Sequence, residues 1–521
     1  MKTPWLRLTA VLVLVMTLIA GLAAGCSKPD PKKTTLTYAI TSELDGTDIQ
    51  QVFTSNIIQT LASPAMVVLD LENKNVVPQL AKSVKLEGNS IIMEFPANLK
   101  FANGKACTGA DIKASIERYI EISPYSSDWG ELDHIDVNGQ TVTLVFKSPP
   151  AYFIAVLTSD YSGIVDVATA KQVGDEAFNR KVVGVGPYLL TEWVQGSHLT
   201  FKRDAAYQDF KPFVQNKGPW KFETVVVRVI PDHLTRISEL EAGNVDYVAE
   251  VPLEFVDRVA NNSKLTLVKS PVAGESYLRF NTAKAPFNDI RFRQAVNYAI
   301  NKEEIKTALK NTVEPIYGLL CPAQLCHSAQ TEAALKQALS YNQQEAKDLL
   351  AEMGYKDTNG DGILEKGGKP LKLTILTTQD VASHKMSAPV IQQQLKQVGI
   401  DVELQEQGRS YVRELVNAGN FDIAFARWMW PDPDIWYYSF HSSNANPIWS
   451  TPELDAILDG GRSIMNMAER TAKYAELSEA VAGEMAIVSL FYDYNFSAHV
   501  KTLTGLHRAV SGETYFNDAA K

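Results

Sequence analysis

From residue 34 to the C-terminus the chain alternates strand-like and helix-like segments with few long irregular stretches between them. That alternation confines it to the α/β class, in which helices cover the faces of a largely parallel sheet. Two early stretches read instead as hairpins: Lys85 to Phe95 folds back at Gly88-Asn89, and Val137 to Phe146 at Asn138-Gly139. Between them, Thr108 with Asp111 three residues on predicts a capped helix running to about Ile120. Val225 to Ile230, a helix capped by Asp232 and stopped by Gly243, and Val245 to Val248 form a β-α-β unit. Helices then follow over Asp289 to Ile300, from the Asn301 cap, and over Gln343 to Met353. The strands Leu371 to Leu376, Val402 to Leu404 and Asp422 to Ala426 alternate with helices ending at Gly399 and spanning Tyr411 to Ala418. Thr451-Pro452-Glu453 starts another helix, and Ala468 to Gly483 leads into a last strand over Ile487 to Tyr492. There is no internal repeat.

The first residues obey a different logic. Lys2 and Arg7 precede an uncharged apolar run from Leu8 to Leu22, and Ala23-Ala24-Gly25 places small residues before Cys26. This is the pattern of an export signal over residues 1–25, with Cys26 where bacterial lipoprotein signals place the thiol that receives lipid. Residues 26–33 are polar and proline-containing, which suits a flexible lipidated tether. Nothing later is long and apolar enough to span a membrane. Removing the signal takes two positive charges away, so the formal charge moves from −10 to −12, and a chain this acidic lacks the basic footprint of nucleic-acid binding. The 496 residues that remain exceed one ordinary core and predict two or three lobes.

Enzyme signatures are missing: there is no Gly-x-Ser-x-Gly elbow, no His-Glu-x-x-His, no phosphate loop and no Cys-x-x-Cys. The chain is therefore expected to be no enzyme and to need no cofactor or metal. Cys321 and Cys326 flank a short loop and can pair in an oxidising compartment, leaving Cys107 a lone buried thiol. Cys326-His327 with Cys321 fits no common zinc spacing. Asp357-Thr358-Asn359-Gly360-Asp361-Gly362 copies the start of a calcium loop, but Gly368 stands at position 12, where a bidentate glutamate is needed, so a hydrogen-bonded turn is expected. The richest stretch runs from Arg427 through Trp428, Met429, Trp430 and Asp432 to Trp436. It directly follows a predicted strand, where α/β folds present loops to ligands. Its aromatic faces can stack on a ligand and Arg427 can pair with a carboxylate, although core packing explains such clusters equally well.

Several punctuating motifs resemble those of the family 5 extracellular solute-binding proteins of bacterial ABC importers, the peptide- and nickel-binding class. The longest runs from Tyr277-Leu278-Arg279-Phe280-Asn281-Thr282 through Pro286-Phe287-Asn288-Asp289 to Arg291 and Lys302; Gly184-Val185-Gly186-Pro187-Tyr188, Pro78-Gln79-Leu80-Ala81 and Phe101 to Lys105 fall in the family's order. The resemblance covers nearly all of the mature chain. It implies a type II periplasmic-binding-protein-like fold of the large three-domain variant, two-lobed, with the ligand cleft between the lobes. Residues 34–72, 197–280 and 490–521 would form domain I, 73–196 domain II and 281–489 domain III. By family position, Thr41, Ser42, Glu43, Tyr277, Arg279 and Arg409 join Arg427, Trp428, Met429, Trp430, Asp432 and Trp436 as cleft candidates. Peptide-binding relatives carry an aspartate for the ligand's free α-amino group where this chain has Met429; Asp432 stands nearby, though an acidic residue next to that proline is usually structural in the family. The resemblance implies an ordinarily monomeric lipoprotein that captures a peptide or peptide-like solute and passes it to importer permease subunits. Sugars, opine-like conjugates and nickel chelates are the alternatives, and a secreted hydrolase is a further one from another class.

Overall fold

A computed structural model describes residues 34–53 and 56–521. The export segment, the tether and Cys26 lie outside the described residues.

One large sheet runs through the molecule. Its longer run of strands, in chain order, is β1 (Thr35–Ile40), β2 (Tyr188–Val194), β3 (His198–Arg203), β4 (Thr224–Val229), β5 (Tyr247–Val248), β6 (Leu265–Pro271), β7 (Glu275–Phe280), β8 (Lys372–Thr378), β9 (Asp401–Gln407), β10 (Ile423–Trp428) and β11 (Ile487–Val500), and the short strand Val313–Pro315 adds to β11 as a twelfth. The spatial order is β9-β8-β10-β7-β11-β5-β1-β4-β3-β2, with β6 also paired to β11. The half around β1 and the half around β8 each carry their own apolar core, and this makes two lobes. Leu199, Phe201, Val225 and Val227 pack in the first lobe; Leu278, Phe292, Ile375, Ile391 and Phe425 pack in the second. Each fully buried aliphatic or aromatic side chain of this size contributes roughly 1.5–3 kcal/mol. The two predicted hairpins meet in a separate four-stranded sheet over Ser83–Glu87, Ser90–Glu94, Thr141–Phe146 and Leu132–Asn138, which extends the first lobe. Helix α1 (Gly109–Ile122) starts with the Thr108/Asp111 capping box, α2 (His233–Glu241) is capped by Asp232, and α3 (Ile290–Ala299) follows Asp289, as the sequence predicts. Among the described residues no helix is long and apolar enough to cross a membrane.

The lobes are joined by two strand crossings. β11 pairs with β7 over Ile487 to Phe491 and with β6 over Tyr494 to Val500, so it belongs to both lobes. The sequence predicts an end near Tyr492, because Asp493, Asn495, Ser497 and His499 break the apolar run; in the structure these polar residues stay in the ladder. The other crossing is the short step from β6 to β7. Gly274 in that step has φ +146°, and a Cβ there would stand 2.0 Å from the Trp428 carbonyl oxygen, so only glycine lets the crossing lie against the end of β10.

Candidate functional site

Strand direction locates the cleft. β1 runs parallel to β4 and β5, and β5 runs antiparallel to β11, so the carboxyl ends of β1, β4 and β5 point toward the second lobe. β8 is parallel to β9 and β10, while β7 is antiparallel to both β10 and β11, so the carboxyl ends of β8, β9 and β10 point toward the first lobe. Two rows of strand ends thus face each other beside the crossings, the position at which open α/β sheets present ligand sites.

The aromatic loop leaves β10 at this edge. Trp428 is half-buried, its indole Nε1 donating to Ser439 Oγ at 2.6 Å. Met429 is 54% exposed, the most open large apolar side chain of the loop apart from Tyr438. Trp430 reaches from the second lobe onto the apolar core of the first. Its backbone is fixed from behind: Gln324 Nε2 donates to Trp430 O at 3.1 Å and Leu325 N to Pro431 O at 2.8 Å. Asp432 and Trp436 depart from the expectation that they line the cleft. Asp432 is fully buried in a two-pronged ion pair with Arg470, at 2.8 and 2.7 Å, because an ionised carboxylate is tolerated in an apolar cluster only when paired. Trp436 is also fully buried, donating to Leu319 O at 3.0 Å.

Tyr277 is buried against Trp436, ring centroids 5.4 Å apart, and also lies away from solvent. Arg279 is displaced by strand direction. Because β7 runs antiparallel to its neighbours, Arg279 pairs across from Ile487 at the start of β11, at the end of the sheet remote from the crossings. There it donates to Asn446 O at 3.3 Å, and burial lowers its pKa. Arg409, the first residue of α5 (Arg409–Asn417), follows the carboxyl end of β9, exposed and bonded to Asp380 at 2.7 Å. Arg427 lies at the crossing, 3.3 Å from Asp493 of β11, whose carboxyl burial pushes up. After β1, Thr41 is half-buried and Ser42 is exposed, whereas Glu43 is taken up by the β2–β3 hairpin, accepting from Trp193 Nε1 at 3.3 Å and Gly196 N at 2.5 Å.

Sequence reasoning missed His384, in the first turn of α4 (Ala382–Lys396). It shares a 2.9 Å hydrogen bond with Ser276 Oγ and stacks on Phe425. Burial, aided by the charge of Arg427, holds its pKa at about 3, so the ring is neutral. Its Nδ1 and the hydroxyl of Thr377 near the end of β8 are buried without protein partners. The only sequence signal was a polar Ser-His pair opening a helix behind a strand.

Cys107, Cys321 and Cys326 are all free and buried, so the possible Cys321–Cys326 bridge is not formed. Cys321 Sγ instead donates to Val272 O at 3.3 Å in the crossing, and Cys326 packs in the cluster around Trp436. The Asp/Gly-rich turn is closed by hydrogen bonds, Asp357 accepting from Gly360 N at 2.7 Å and Gly362 N at 3.0 Å. The same turn brings carboxylate oxygens of Asp357, Asp361 and Glu365 within 4.8 Å of one another.

Two lobes on a shared sheet, joined by paired crossings and facing each other through strand ends, define a hinged solute-binding protein. The chain belongs to the bacterial extracellular solute-binding proteins, family 5, whose model matches residues 75–447. It is 28% identical over 461 residues to the oligopeptide-binding protein AppA of Bacillus subtilis, covering 83% of this chain and 81% of AppA. It is 26% identical over 467 residues to the glutathione-binding protein GsiB of Salmonella choleraesuis, covering 86% of each. Among solved structures, HbpA2 of Haemophilus parasuis superposes with a TM-score of 0.80 at 18% identity, over 93% of this chain and 99% of that one.

Proposed function

We propose that this protein is a lipid-anchored carrier that captures a peptide or peptide-like solute in the interlobe cleft and hands it to the permease subunits of an ABC importer. The anchor is assigned to Cys26, the protein acts as a monomer, and domains I, II and III take the limits 34–72 with 197–280 and 490–521, 73–196, and 281–489. AppA and GsiB, named for oligopeptide and glutathione binding, support the solute class. The candidate contacts are Trp428, Met429, Trp430, Arg427, Arg409 and Ser42.

One observation narrows the solute. Neither carboxylate of the aromatic loop is available to a ligand, because Asp432 is held by Arg470 and Asp434 by Arg462 at 2.9 Å, while the exposed position of the loop is Met429. A buried ammonium without a carboxylate costs several kcal/mol. The favoured ligand is therefore one whose amino end is blocked, conjugated or left outside the cleft. Thermal shift of the purified lipoprotein in detergent tests this, since a ligand that binds only the folded state raises the melting temperature. N-acetylated peptides should stabilise at least as much as their free-amino counterparts. A shift confined to free-amino dipeptides would refute the narrowing, and a shift confined to oligosaccharides or nickel-histidine would replace the peptide reading.

A further inference from the structure

Away from the crossings the two lobes touch again, along a seam beneath the aromatic loop. Residues Ala151–Phe153 of the first lobe lie against α6 (Pro452–Ser463) of the second. Ile154 is fully buried there, inside the cluster that holds Trp436 and Leu458. The central group is Arg462 of α6. Its guanidinium lies 5.0 Å from the ring centre of Tyr152 in the first lobe and 4.2 Å from that of Tyr437 in the second. Its Nε is 2.9 Å from Asp434, two residues beyond the Asp432 that anchors the loop to Arg470. Tyr437 is backed in turn by His441, stacked at 4.2 Å. Tyr152 Oη is buried without a protein partner.

We propose that the Tyr152–Arg462–Tyr437 stack is the closure seam of the molecule, and that Arg462 is the positioning residue that ties the Trp428–Trp430 loop to the opposite lobe. The composition suits a joint that must part and re-form. A cation between two rings is attractive but modest, and the first-lobe aliphatic side chains on the same cluster, Ile154 with Leu69, Val76 and Leu86, make a small patch beside the large apolar interface of permanently docked lobes. Connectivity gives the seam its meaning. Asp434 follows the aromatic loop directly, so a displacement of that loop moves the carboxylate that aims Arg462 at Tyr152. By the same link, parting the lobes loosens the loop, and the closed geometry is favoured where both are in place. The coupling to solute rests on the proposed cleft site, while the seam itself does not.

The seam is tested in the full chain without any solute, by small-angle scattering and amide hydrogen exchange. Arg462→Met keeps the length of the side chain and removes its charge. It should increase the radius of gyration and raise exchange about tenfold in residues 151–157, on the other lobe. Arg462→Lys, which keeps a cation over the rings, should return most of both effects. Tyr152→Leu should act in reverse, raising exchange over residues 433–441 of the second lobe, and it serves as the second probe if Arg462→Met folds poorly. Exchange changes confined to each variant's own lobe, with an unchanged radius of gyration, would overturn the proposal. A lysine variant no better than methionine would overturn the role given to the cation. Because no solute enters the measurement, its failure is separate from failure of the peptide reading.

Discussion

Asp432 shows how little a residue's identity says about its role until its partner is known. It sits among tryptophans in a loop that looks made for ligands, yet both its oxygens are bonded to Arg470, 38 residues away on the last long helix, α7 (Met467–Glu484). Removing one partner of such a pair leaves an uncompensated buried charge. Asp432→Ala should cost about 3–5 kcal/mol in urea unfolding, and Arg470→Met added to it should restore most of the loss. Recovery with no ligand-binding change would fix the pair as scaffold. Lys302 offers a second residue-scale test. It is buried, donates to Ile316 O at 3.0 Å, and burial pulls its pKa from 10.5 to about 7. Between these values the unfolded chain holds a proton that the native chain lacks, so stability should rise as pH climbs from about 7 toward 10. Lys302→Met should flatten that rise, read as the urea midpoint at several pH values. Of the site, the sequence made the aromatic loop legible through its density of tryptophan behind a strand. It could not reveal which loop residues face inward, because Arg470 and Leu319, the partners of Asp432 and Trp436, come from elsewhere in the chain.

At the scale of elements, local chemistry was a good guide. The caps at Thr108, Asp232, Asn301 and Thr451 all mark helix starts, since a side-chain oxygen satisfies amides that the first turn leaves open. Pairing was less legible. The extension of β11 depends on β6 being available to bond Tyr494 to Val500, which no property of those residues announces. The placement of Arg279 depends on β7 running against its neighbours. Gly274 is where this long-range geometry acts on one position, and it gives an element-scale prediction. Gly274→Ala combines a disfavoured φ with a Cβ 2.0 Å from a backbone oxygen that belongs to the ladder. It should destabilise by more than about 1 kcal/mol, and exchange should rise at the end of β10 before it rises in α1. Uniform loosening across both lobes would argue against a local clash at the crossing.

For the whole molecule, the proposed capture in the interlobe cleft requires that ligand be held by both rows of strand ends at once. A lobe supplies only half of the contacts, so a change at one exposed loop position can redirect which solute drives closure. In the proposed carrier Met429 is that position: it is more than half exposed, it precedes a backbone pinned by Gln324 and Leu325, and it belongs to neither core. Met429→Asp should leave stability within about 0.5 kcal/mol, as surface changes away from buried features usually do. It should nevertheless place a carboxylate at the cleft edge for an incoming ammonium. Free-amino dipeptides should then raise the melting temperature of the variant more than that of the parent, while N-acetylated peptides lose ground. With ligand near 100 times its dissociation constant the added stability is about 2.7 kcal/mol, which is easily read. If free-amino dipeptides gain nothing from the aspartate, Met429 does not occupy the amino-end subsite. The blocked-end preference would then have to come from the first lobe, beginning with Ser42.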